Sequence, residues 1–182
     1  MPMRRRRYRE WYDLRAGADS ASGTPARSVA YRGAYYAFSK PGQRRKLTRH
    51  AAALLGVNLL LFVGAGLLNN EGSRCFYVLP FYLFAVFPLA YWGRALAALL
   101  RAPDPMTEPQ KERSTGRLAR SCAGLAVLCG LCACGDAVLL FTGGAADRVE
   151  REVLFLLANA AIAWAGLRVA RVARACAPVK TA

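Results

Sequence analysis

Residues 51–68 read AAALLGVNLLLFVGAGLL, eighteen consecutive positions without a charge and with Asn58 as the one strongly polar side chain. As a helix this stretch is about 27 Å long at 1.5 Å per residue, close to the roughly 30 Å hydrocarbon core of a bilayer. A soluble helix shows one polar stripe. This segment is apolar on every side, so lipid is the better solvent for it. Three comparable blocks follow, at about 76–93, 121–144 and 153–170. The first of them is uncharged, the second contains Asp136, and the third contains Asn159, with Arg168 near its end. The sequence therefore predicts an all-α integral membrane four-helix bundle.

Composition agrees with that segregation. Of 182 residues, 55% are hydrophobic, yet 26 Lys and Arg against 11 Asp and Glu leave a formal net charge of +15. Half of the basic residues precede residue 51, where little of the apolar mass lies. A disordered chain, a disulfide-stapled secreted domain and an ordinary soluble enzyme are all poor fits to this arrangement. Abundant Arg and Ala suggest a GC-rich, bacterial genome. The chain divides into a basic N-terminal segment (1–46), a four-span domain (47–177) and a short C-terminal tail (178–182).

Basic residues also set the expected orientation. Thirteen lie before the first span, six between spans two and three, and four at the C-terminal end, whereas the two remaining connections hold only Arg74, Arg148 and Arg151. The positive-inside rule then places both termini and the middle loop in the cytoplasm, in a multi-pass protein of the cell membrane.

Within the N-terminal segment, residues 3–15 space Tyr8, Trp11 and Tyr12 as one strip of a helix among six arginines, and residues 28–39 do the same with Tyr31, Tyr35 and Phe38. Aromatic rings beside basic groups suit the lipid headgroup layer. Both stretches are candidate interfacial helices, with Arg4, Arg5, Arg6, Arg7, Trp11, Arg44, Arg45 and Lys46 contacting anionic lipid headgroups; a solvated disordered tail whose charge only enforces topology is the alternative. Nucleic acid is not an expected partner, because no recognition motif accompanies the charge.

Span three carries Cys122, Cys129, Cys132 and Cys134. One helix without a histidine cannot wrap a metal ion with this set, and the relay of outer cysteines that a membrane thiol oxidoreductase needs is missing, so the redox reading is remote. Small residues explain the pattern better. Cys122, Ala126, Gly130 and Cys134 form a ladder at helical spacing, and Ala163, Gly166 and Ala170 form a second one on span four, so both helices offer faces for close packing.

Asp136 is costly in hydrocarbon, by about 2.5–3.5 kcal/mol on insertion scales, and should face protein or water. Counted from the outer ends of their spans, Asp136 and Asn159 lie at matching depths, so a hydrogen bond between them is expected. No phosphate-cradling loop, nucleophile elbow, zinc-protease helix or catalytic carboxylate pair is legible, and neither enzymatic activity nor a cofactor is expected. Two functions remain in view: a non-enzymatic accessory subunit or scaffold that packs against other membrane proteins or itself, and a small oligomeric transporter in which Asp136 binds a coupling proton or cation.

Overall fold

A computed structural model describes residues 12–16, 27–142 and 149–181. Four helices in it are long and apolar enough to cross a membrane. The first, α1 (Gln43–Leu67), is continuous over 25 residues. The second span is split into α2 (Leu79–Phe84) and α3 (Val86–Arg101), with the break at Ala85. Pro88 explains that position. It has no N–H to offer the carbonyl of Phe84, and its ring crowds the same carbonyl, so the helix loses its ladder four residues before the proline.

The connection that follows is more ordered than a polar linker. It holds strand β4 (Met106–Thr107), a single turn α4 (Glu108–Lys111) and a π-helical turn (Glu112–Gly116) that runs directly into α5 (Arg117–Phe141). The fourth long helix is α6 (Val149–Ala175). Each of α1, α5 and α6 extends beyond its apolar block toward the end where the arginines cluster.

The helices α5 and α6 form the most extensive pair in the bundle, with α1 and α3 packed around them. Burial along α6 follows Glu152, Phe155, Asn159, Ile162, Gly166, Val169 and Ala173, a spacing of three and four residues that keeps one face toward the other helices. The main core joins Leu47, Leu89, Trp92, Leu99, Leu118, Leu125 and Ile162, and a smaller one near the opposite end joins Ala65, Val78, Tyr82, Cys132 and Phe155. Large apolar side chains such as Leu60, Leu67, Phe84, Phe87, Phe141 and Trp164 remain exposed around the perimeter, as lipid-facing positions require.

The chain is not wholly helical. Strands β1 (Tyr12–Ala16) and β2 (Arg27–Tyr31) pair antiparallel, and β3 (Tyr35–Ala37) lies between β4 and β5 (Val179–Lys180) in a second sheet. This corrects the expected interfacial helix over 28–39, which is occupied by β2 and β3. The aromatic spacing was helical by coincidence. Arg32-Gly33-Ala34 interrupts it, and Gly33 leaves the room into which the Tyr31 hydroxyl folds, toward the Ala34 carbonyl at 3.2 Å. Of the expected helix over 3–15, residues 3–11 fall outside the described residues, and Tyr12–Ala16 is a strand.

The second sheet ties three distant segments together at one end of the bundle. Tyr36 pairs with Met106 on one side and Lys180 on the other. Lys111 places its ammonium 3.8 Å from the Tyr36 ring centre, and the backbone N–H of Glu108 donates to the Tyr31 hydroxyl at 3.0 Å. Strand β3, the middle connection and strand β5 therefore share one end, the basic end, and the hairpin after α1 lies at the other, beside the first turn of α6.

Candidate functional site

At the hairpin end, Asp136 from α5 and Glu152 from α6 are both fully buried and converge on the backbone of Gly72, in the hairpin after α1. A Cβ built on Gly72 would collide with Asp136 Oδ1 and lie 2.7 Å from Glu152 Oε2, so only glycine leaves room for both carboxyl groups here. Glu152 is well supplied with donors. Its Oε1 accepts the Glu71 N–H at 2.6 Å, and its Oε2 accepts Asn70 Nδ2 at 2.7 Å and the Gly72 N–H at 3.1 Å. The first turn of α6 thereby holds the hairpin down over the bundle.

Asp136 has no such supply. Neither of its oxygens meets a hydrogen-bond donor, and the Oδ1 atoms of Asn70 and Asn159 are buried without one as well. A buried carboxyl that faces a second carboxyl and has no donor is satisfied by a proton or a cation. Among the described residues no group of three or more His, Cys, Asp or Glu side chains is arranged to hold a metal ion.

The expected bond between Asp136 and Asn159 is not formed. Asn159 is fully buried, as Asp136 is, but its Nδ2 donates back to the Phe155 carbonyl at 3.0 Å within its own helix. Glu152, about two helical turns nearer the N-terminus of α6, takes the place beside Asp136. Counting apolar residues put Glu152 in the outer loop. Its register with Phe155, Asn159, Ile162 and Gly166 was the available signal that it faces inward.

The two small-residue ladders divide. Gly166 sits against α5 so closely that a Cβ on it would be 2.8 Å from the Cys122 carbonyl oxygen and 3.4 Å from the Ala126 Cβ. Cys122, Ala126, Gly166 and Ala170 are buried and Ala163 is half-buried, whereas Gly130 opens onto empty space and Cys134 is exposed. Half of the α5 ladder therefore serves the α5–α6 contact, and the other half faces outward.

Comparison with protein-family models, curated proteins and solved structures finds no match. The site must therefore be read from its own chemistry.

At the basic end, Arg44 is not turned toward solvent or headgroups alone. Its guanidinium crosses to the C-terminus of α3, where Nη2 donates to the carbonyls of Leu99, Leu100 and Ala102 at 2.7, 3.0 and 2.6 Å, and Nε donates to Leu99 at 3.1 Å. Those are orphan carbonyls at the negative end of a helix, for which a cation is the natural cap. Arg45 and Lys46 remain exposed, and Arg45 borders an open cleft of about 440 Å³ with Thr48 and Arg49. Arg4, Arg5, Arg6, Arg7 and Trp11 lie outside the described residues.

Proposed function

We propose that this chain is a non-enzymatic subunit or scaffold of the cell membrane that packs laterally against other membrane proteins or a second copy of itself, with its basic end in the cytoplasm. Its four apolar helices are compatible with a small multi-pass membrane protein. The observation behind the scaffold reading is α1. Only 17% of its most apolar stretch is buried in the bundle, against 44% for α6, yet its outer surface carries Gly56 and Gly64, both with open space where a side chain would stand. Lipid alone is served by Leu or Val at such positions, and glycine on an outward helix face suits a closely approaching neighbour. Gly130 and Cys134 add a second outward small-residue patch on α5. The orientation is supported by the concentration of Arg and Lys at the sheet end, and exposed Arg45 and Lys46 suit contact with anionic headgroups there.

Purification in a mild detergent tests this reading. A stoichiometric partner, or a dimer, that is lost in a Gly56→Leu/Gly64→Leu variant of unchanged thermal stability is the expected result. A monomer without partner, identical in both forms, sinks it. For the orientation, Cys75 should react with an impermeant thiol reagent in intact cells and Cys176 should not.

The Asp136–Glu152 pair supports a second reading, a small proton- or cation-coupled transporter. Under it, Asp136→Asn abolishes function while the amount of folded protein stays unchanged, because an amide cannot exchange a proton. Retained function in that variant favours the scaffold.

A further inference from the structure

We infer that the groove between α3 and the start of α5 is a binding site for an anionic phospholipid, with the lipid phosphate held by Arg94, Arg101 and Arg117. Two adjoining open clefts, of about 500 and 380 Å³, share Arg94 and Arg117. The first, nearer the middle of the bundle, is walled by Phe87, Ala90 and Tyr91, and the second, nearer the basic end, by Ala97, Ala98, Arg101 and Arg113. Along α3 these residues recur every three or four positions, so they form one continuous stripe that changes from aromatic and apolar to cationic. That is the profile of a phospholipid lying with its acyl chain toward the midplane and its phosphate at the boundary.

Three features favour a phosphate among the arginines. First, Arg94 is the residue that directly follows the uncharged block 76–93, so it stands where the apolar stretch gives way to the basic end, the level at which lipid phosphates lie. Second, among the described residues no carboxylate pairs with Arg94, Arg101 or Arg117; Glu112, the acid closest in sequence to Arg117, is taken by Arg120 at 2.6 Å. Third, Ala97 and Ala98 are small and stand between the arginines, so a tetrahedral anion can approach several guanidinium groups at once. Arg117 is held in place over the Tyr91 ring, 5.9 Å from its centre, which pre-positions its fork instead of leaving it to sample solvent. The exposed Phe87 and Tyr91 rings, 59% and 51% accessible, give the chain below the phosphate a surface to lie on. This inference rests on membrane placement of the helices and is independent of the scaffold reading.

The full-length protein in mild detergent, titrated with phosphatidylglycerol or phosphatidylcholine and read by native mass spectrometry, tests the site. Phosphatidylglycerol should bind in preference to phosphatidylcholine, and Arg94→Gln/Arg117→Gln should weaken it by roughly 10- to 30-fold, the loss expected for two basic contacts near a membrane surface. Arg171→Gln, on the last turns of α6, serves as the charge control and should leave binding unchanged. Ala98→Phe, which keeps every arginine and fills the cleft, should reproduce the loss, so the idea stays testable where the double arginine variant does not fold. Equal binding of the two lipids, wild-type affinity in Ala98→Phe, or full displacement of the lipid by millimolar inorganic phosphate would each overturn it, the last by showing a site for the free anion.

Discussion

Asp136 and Glu152, sixteen residues apart in sequence and on different helices, present carboxyl oxygens to the same glycine, Gly72. The hairpin that carries Gly72 is thus pressed between two acids, one of them fully hydrogen-bonded and the other lacking any donor.

Gly72→Ala is expected to destabilise the protein by about 1–3 kcal/mol, the range for overpacking a tight site. Its methyl must displace a buried carboxyl or lift the hairpin. Thermal unfolding in detergent measures this, with Gly64→Ala as the comparison, since a methyl there meets open space. Equal melting temperatures for the two variants would show that the hairpin yields freely.

Glu152→Ala removes the acceptor for Asn70 and for the N–H groups of Glu71 and Gly72 at once. Leaving those donors unpaired should cost about 2–4 kcal/mol. The hairpin should also detach, which the reaction rate of the half-buried Cys75 with a soluble thiol reagent reports. Faster labelling is expected in Glu152→Ala and not in Glu150→Ala, whose side chain is exposed.

For Gly166→Ala, the added methyl group would sit 2.8 Å from the Cys122 carbonyl oxygen, so α5 and α6 must separate. A loss of about 1–3 kcal/mol is expected. Gly130→Ala, whose methyl points away from the bundle, should match the wild type in thermal stability. A reversal of this order would mean that the outward face of α5 is the more constrained one.

Arg44→Ala uncaps α3 and should cost about 1–2 kcal/mol, whereas Arg45→Ala, exposed one position later, should change stability little. The local readout is proteolysis between Ala102 and Pro105. Cleavage there should accelerate in Arg44→Ala alone.

How much of this was legible depends on the physics involved. The four helices were readable because the requirement to bury every backbone polar group in hydrocarbon leaves a long, unmistakable record in composition. Asp136 stood out for the same reason. Glu152 did not, because an acid just outside an apolar block reads as surface, and only its register with Phe155 and Asn159 shows that the helix begins earlier and turns it inward. Arg44 read as one more member of a basic run. Its capping role depends on where α3 ends in space, which no local pattern records. The strands around Tyr36 were hidden for a related reason, since each is two or three residues long and is defined by partners more than seventy residues away.

Those strands also act as a parity check on insertion. β3 is synthesised before the first span, β4 after two and β5 after all four, so they can meet only if an even number of helices has crossed the bilayer between each of them. A chain in which one span slips out leaves β5, or β4 and β5, stranded on the far side, and the middle strand keeps a bare edge. Strand β3, paired on both edges only in the correctly threaded molecule, is where a quality-control protease could tell a finished protein from a misinserted one.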